Sequence, residues 1–111
     1  MNTNEKIATW LGMKKLTKNA YERKIDGGYK YYFLDFIHDR NQQKWIEDKL
    51  IEGGDGIIYS YYLDKKYWFV EIFDSAYPDS ASKVWKTNES KDLAFIQAVE
   101  QLIDKEKCTE E

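Results

Sequence analysis

Few residues in this chain of 111 residues could do covalent or metal chemistry, and they lie far apart. His38 is the only histidine, and it sits in the run His38-Asp39-Arg40. A hydrolytic triad or a histidine-based metal site would therefore have to use it. Together with Asp35 and Asp39 it offers three potential ligands. Nothing in their spacing marks a metal motif, and the competing reading is a turn whose Asp39 caps a helix. Gly53-Gly54-Asp55-Gly56 lacks the Gly-Lys-Ser/Thr of a phosphate loop and reads as a helix stop followed by a turn. No catalytic constellation assembles, so the chain is expected to be non-enzymatic, with no metal and no cofactor implied.

Binding chemistry is easier to assemble. Only two arginines occur, Arg23 and Arg40, and arginine suits two-pronged recognition of phosphate or carboxylate. Arg23 lies in a basic segment with Lys14, Lys15, Lys18 and Lys24, while Lys83 and Lys86 bracket Trp85. The run YYLDKKYWFVEIFD at 61–74 adds Tyr62, Tyr67 and Phe69. Aromatic rings with cations at their edge can hold a nucleotide, base on ring and phosphate on Arg or Lys. These eight residues, Arg23, Arg40, Tyr62, Tyr67, Phe69, Lys83, Trp85 and Lys86, form the candidate ligand site. The competing reading puts the rings under a helix or in a subunit interface and leaves the lysines to solvate the surface.

Length and composition bound the rest. The chain fits one domain with a single core, residues 1–111 with a frayed tail over 104–111. Aromatics at 16% exceed what such a core needs, so some are expected to serve elsewhere. A net charge of −3 argues against general nucleic-acid binding, though not against a local basic pocket. One cysteine, Cys108, excludes an internal disulfide and suggests a reducing cytosol. No signal peptide and no apolar run of membrane-spanning length is visible.

The elements that must position these residues follow from periodicity. Thr3 is expected to cap a first helix carrying Ile7, Trp10 and Leu11, with Gly12 as its stop. Residues 13–28 read as a loop with a short strand near Tyr21, and 29–37 as a strand. Asp39 or Asn41 begins a second helix with Trp45, Ile46, Lys49 and Leu50 on one side, ended by Gly53 and Gly54. A hairpin turning at Asp64-Lys65 pairs residues whose numbers sum to 129. That sets Ile57, Tyr59, Tyr61, Trp68, Val70 and Ile72 on one face, and Tyr62, Tyr67, Phe69 and Glu71 on the other. Lys83–Lys86 reads as a last strand. Asn88 then caps a helix with Phe95, Ile96, Val99, Leu102 and Ile103 in its stripe. The fold class is α+β, a mostly antiparallel sheet of three to four strands in the order α-β-α-β-β-(β)-α, covered on both sides.

Three segments carry a family likeness. NEKIATWLGM at 4–13, NQQKWIEDKL at 41–50 and NESKDLAFIQAVEQLI at 88–103 resemble the opening, central and closing helices of the phage α-β-α sandwich domain family. The resemblance implies a phage accessory protein in the host bacterial cytoplasm. It also implies a counter-defence role without established catalysis. Joined to the candidate site, it suggests sequestration of a small nucleotide-type signal by a homo-oligomer. The alternative is inhibition of a host defence protein through an aromatic and acidic surface.

Overall fold

The computed structural model describes the backbone of residues 2–110 and the side chains of residues 2–107. Its order is α1 (Thr3–Trp10), β1 (Lys14–Lys15), β2 (Ala20–Ile25), β3 (Gly28–Phe33), α2 (Arg40–Glu52), β4 (Asp55–Tyr62), β5 (Tyr67–Asp74), β6 (Val84–Asn88) and α3 (Lys91–Glu110). The α+β class and its antiparallel pairing are as expected. The strands, however, form two sheets of three, β1-β2-β3 and β4-β5-β6.

Local chemistry explains where elements start and stop. Asn2, not Thr3, caps α1: its carboxamide oxygen accepts from Glu5 N at 2.8 Å, while the Thr3 hydroxyl donates to Glu100 at 3.0 Å. Gly12, at φ +79°, follows the end of α1 in a conformation that glycine adopts without steric cost. Asp39 caps α2, accepting from Asn41 N at 2.9 Å and Gln42 N at 3.2 Å. Asn88 closes β6 instead of capping α3. Ser90 takes the capping role, its hydroxyl accepting from Leu93 N at 3.3 Å. α3 continues past residue 104, where the sequence suggested a tail, to Glu110; Glu111 lies outside the described residues.

The segment 13–28 has the strand expected near Tyr21, as β2, but is otherwise more ordered than a loop. It holds β1 and most of a β2–β3 hairpin, in which Ile25 faces Gly28 across Asp26-Gly27 and Tyr21 faces Tyr32. β3 also stops at Phe33, not at residue 37. There Asp35 turns the chain, its carbonyl accepting from His38 N and Asp39 N.

The second hairpin keeps the expected register: Tyr61 faces Trp68, Tyr59 faces Val70 and Ile57 faces Ile72. Its turn is longer than two residues. Pairing ends at Tyr62–Tyr67, and Lys66 at φ +54° donates its N–H to Tyr62 O at 2.7 Å. Four loop residues preserve the parity of two, so the same side chains share each face.

α2 and α3 pack on the second sheet, α1 packs on α3, and α1 and α2 also reach the first sheet through Ala8 and Trp45. Ile7, Ile46, Leu50, Val70, Ile72 and the α3 stripe make the larger core, with Phe36 and Val84. Ala8, Met13 and Tyr21 make a smaller one, flanked by Tyr32 and Trp45. α2 serves both. Its Glu47 accepts from the Tyr59 hydroxyl of the second sheet at 3.4 Å, while Trp45 meets Tyr32 of the first edge-on at 4.7 Å. Because Ile46 is wholly buried, Ile46→Ala is expected to cost about 2–5 kcal/mol of stability. Urea unfolding measures it; a loss below about 1 kcal/mol would place α2 outside the core.

Candidate functional site

The register decides which rings are core and which are surplus. α2 and α3 lie on the Tyr59–Trp68 side of the second sheet. Tyr59 approaches Phe95 at 6.0 Å, and the Lys91 ammonium stands over the rings of Tyr59 at 4.5 Å and Trp68 at 5.3 Å. Val70 and Ile72 are fully buried there, whereas Tyr61 at the hairpin tip stays exposed beside Trp68. Among the described residues, no helix covers the opposite face. The expected cover on both sides is therefore absent, because both helices spend their apolar stripes on one face.

That open face carries a chain of touching rings. Tyr62 meets Tyr67 at 5.3 Å and Phe69 edge-on at 6.2 Å, and Phe69 stacks on Trp85 at 5.4 Å with planes 25° apart. Offset and edge-on pairs at these distances satisfy the ring quadrupoles. Tyr62 remains 43% and Trp85 56% exposed. Ile58 adds apolar surface on the same side. Phe73 lies so close over Gly56 that a Cβ there would come within 2.3 Å of its ring, so this glycine is required by the close approach. Glu71 is the carboxylate within the face, and it accepts from the Ser82 hydroxyl.

The structure brings the four candidate aromatics together, places Arg23, Arg40 and Lys83 apart from them, and sets Lys86 on the other side of the sheet, where it shares the lining of a groove with Trp85. Arg23 stacks over Trp45 at 4.5 Å, on the helix side of the first sheet. Arg40 lines a cleft of about 220 Å³ with Glu47, Tyr59, Lys91 and Asp92. Lys86 pairs with Val70 across β5 and β6 and so points to the helix side. There it borders an open groove of about 770 Å³ with Trp85, Thr87, Gln97, Glu100 and Asp104. Lys83 bonds the buried Asp55 carboxylate at 2.6 Å. That hydrogen bond raises the Lys83 pKa above the ordinary lysine value, outweighing desolvation. The Lys83 charge thus contributes its stabilisation in full below the ordinary lysine range, and that contribution is lost as pH rises through the raised value.

Other groups have local duties. His38 Nδ1 lies 3.0 Å from the Asp35 carboxylate on the surface, while the Asp39 carboxylate is held by the α2 cap. Among the described residues no three His, Cys, Asp or Glu side chains converge on a metal-sized space. Tyr59 is held neutral well above the usual tyrosine range, first by burial and then by Glu47. No described helix is long and apolar enough to cross a membrane.

One surface escaped sequence reasoning. Tyr29, Tyr31 and Phe33 alternate along β3 and face solvent on the outer side of the first sheet, 63%, 66% and 77% exposed. The signal available was the Asp26-Gly27 turn followed by period-two aromatics.

Compared with known proteins, the chain matches no family model, no curated protein and no solved structure. The site must be read from its own geometry.

The Lys83–Asp55 pair yields a direct check. Lys83→Met leaves a buried carboxylate without its cation and is expected to cost about 1–3 kcal/mol, toward the lower end because Lys83 is partly solvated. In a double-mutant cycle with Asp55→Asn, the two losses should fall short of additivity by at least about 0.5 kcal/mol. Simple addition would show that the pair contributes nothing.

Proposed function

We propose that this protein is a non-catalytic binding protein, acting through the open aromatic face of its second sheet on a protein partner. The observation that carries the reading is the contiguous, uncovered run Tyr62, Tyr67, Phe69 and Trp85. Rings pre-packed on a rigid sheet present large area at little cost in conformational entropy, which is what interface hot spots require. The face holds a carboxylate, Glu71, and none of the four candidate cations. This favours a protein surface over a phosphate-bearing ligand. The likeness to phage accessory proteins makes a host defence protein the natural target class. Sequestration of a nucleotide signal is the competing reading.

Affinity capture from host lysate tests this, with wild type and the Tyr62→Ser/Trp85→Ser variant as baits. One stoichiometric host protein should bind wild type and bind the variant at least about tenfold more weakly, as expected for hot-spot truncation. The variant should keep the wild-type urea midpoint to within about 0.5 kcal/mol. Undiminished capture by the variant would overturn the choice of face. Saturable calorimetric binding of a cyclic or ADP-ribose-type nucleotide, with no protein captured, would decide for sequestration.

A further inference from the structure

We propose that the outer face of the first sheet is a stacking platform for single-stranded nucleic acid. This goes beyond the protein-partner reading and uses different residues.

Two independent observations meet on this sheet. The first is the row Tyr29, Tyr31 and Phe33, the most exposed run of rings in the chain. Alternate residues on a strand stand about 7 Å apart on one face, so the rings offer successive platforms for unstacked bases. The second is charge. Residues 13–33 hold six cations, Lys14, Lys15, Lys18, Arg23, Lys24 and Lys30, against Glu22 and Asp26. That is a net +4 in a chain of net −3, leaving −7 on the remainder. The overall charge argued against general nucleic-acid binding, but the charge is sharply partitioned. Lys24 pairs with Tyr29 across the strands, and Lys14 with Glu22, so both lysines stand on the same face as the rings. Lys14, Lys18 and Lys24 make no ion pair among the described residues, whereas Lys15 is held by Glu5 at 3.5 Å. Lys14 and Lys24 thus flank the aromatic row, with Glu22 opposite Tyr31 on the same face, while Arg23 and Lys30 stand on the helix side over Trp45 and Tyr32. Two lysines against one carboxylate leave the ring face positive, as a backbone-tracking groove needs.

A small cleft continues the row. Beside Phe33, a space of about 140 Å³ is lined by Asn2, Asn4, Glu5, Lys18 and Asn19. Asn2 is engaged with Glu5 and Asn4 donates to Leu34 O, which leaves the Asn19 carboxamide to meet the hydrogen-bonding edge of one terminal base. Single strands fit this arrangement better than duplex, because a duplex keeps its base faces stacked and out of reach of the rings. On the second sheet Lys86 shares a groove with Trp85 but stands on the helix side, and no lysine is paired on the ring face itself, which separates the two surfaces chemically.

Fluorescence anisotropy with a fluorescein-labelled 12-mer of oligo(dT), and its oligo(U) counterpart, tests the proposal at low salt. Saturable binding is expected, stronger than to a duplex of equal length and weakening as salt rises. Tyr31→Ala and Phe33→Ala should each weaken binding about tenfold, and Tyr31→Phe should retain it. Lys24→Gln should lower the salt dependence by the equivalent of about one phosphate contact. These side chains are exposed, so the variants should remain folded, which circular dichroism verifies. Absence of saturable binding to both oligomers would overturn the proposal. So would equal binding of duplex, or binding indifferent to Tyr31→Ala and Phe33→Ala. Sedimentation showing a wild-type dimer that Tyr31→Ala dissolves would instead assign the face to a second copy of this chain, and would also overturn it.

Discussion

A single helical layer serves two sheets, and the rest of the structure depends on that sharing. α2 must be apolar on two sides. Ile46 and Leu50 enter the larger core, while Trp45 reaches Tyr32 and carries Arg23 on its ring. α1 divides in the same way, with Ile7 in one core and Ala8 in the other. With α3 spent on the second sheet and α1 and α2 shared between the two, no described helix remains for the outer faces. A chain of this size can cover two sheets only once. The aromatic surplus is a direct consequence: rings that alternate to the outside of each sheet stay in contact with water.

Nature usually dilutes such faces with charge, and here the two faces differ in how far that is done. The second sheet's face is ring against ring, with Glu71 tied to Ser82. The first sheet's face sets rings among Lys14, Lys24 and Glu22. Exposed apolar patches of this kind mark interaction surfaces more often than inert ones. The contrast between them is the basis of the two proposals, a protein partner for one and a polyanion for the other. Arg40 and Lys83 stand apart from the rings of the second sheet through their own duties in a cleft and an ion pair, and Lys86 meets only Trp85, across a shared groove.

Much of the second sheet was legible in the sequence. Period-two alternation through Ile57–Ile72 sets its register for a two- or four-residue turn alike, and the α3 stripe needs only helical periodicity. The first sheet was only partly legible, for a physical reason. β2 buries only Tyr21, so a short strand could be placed near that residue but Ala20–Ile25 shows no alternating apolar signal to fix its length. β3 was overextended because Leu34, Phe36 and Ile37 continue an apolar run that the Asp35 turn interrupts. The candidate site failed to assemble as one because nearness in sequence is not nearness on a face. Lys86 follows Trp85 directly and therefore points to the other side of the sheet.

The central claim is that both outer faces are open in the free protein. Hydroxyl-radical footprinting read by mass spectrometry measures this ring by ring. Tyr29, Tyr31, Phe33 and Trp85 should be modified rapidly, and Phe36 and Phe95, at 0% and 1% exposure, should be protected. Protection of Tyr31 and Trp85 equal to that of Phe95 would contradict the account.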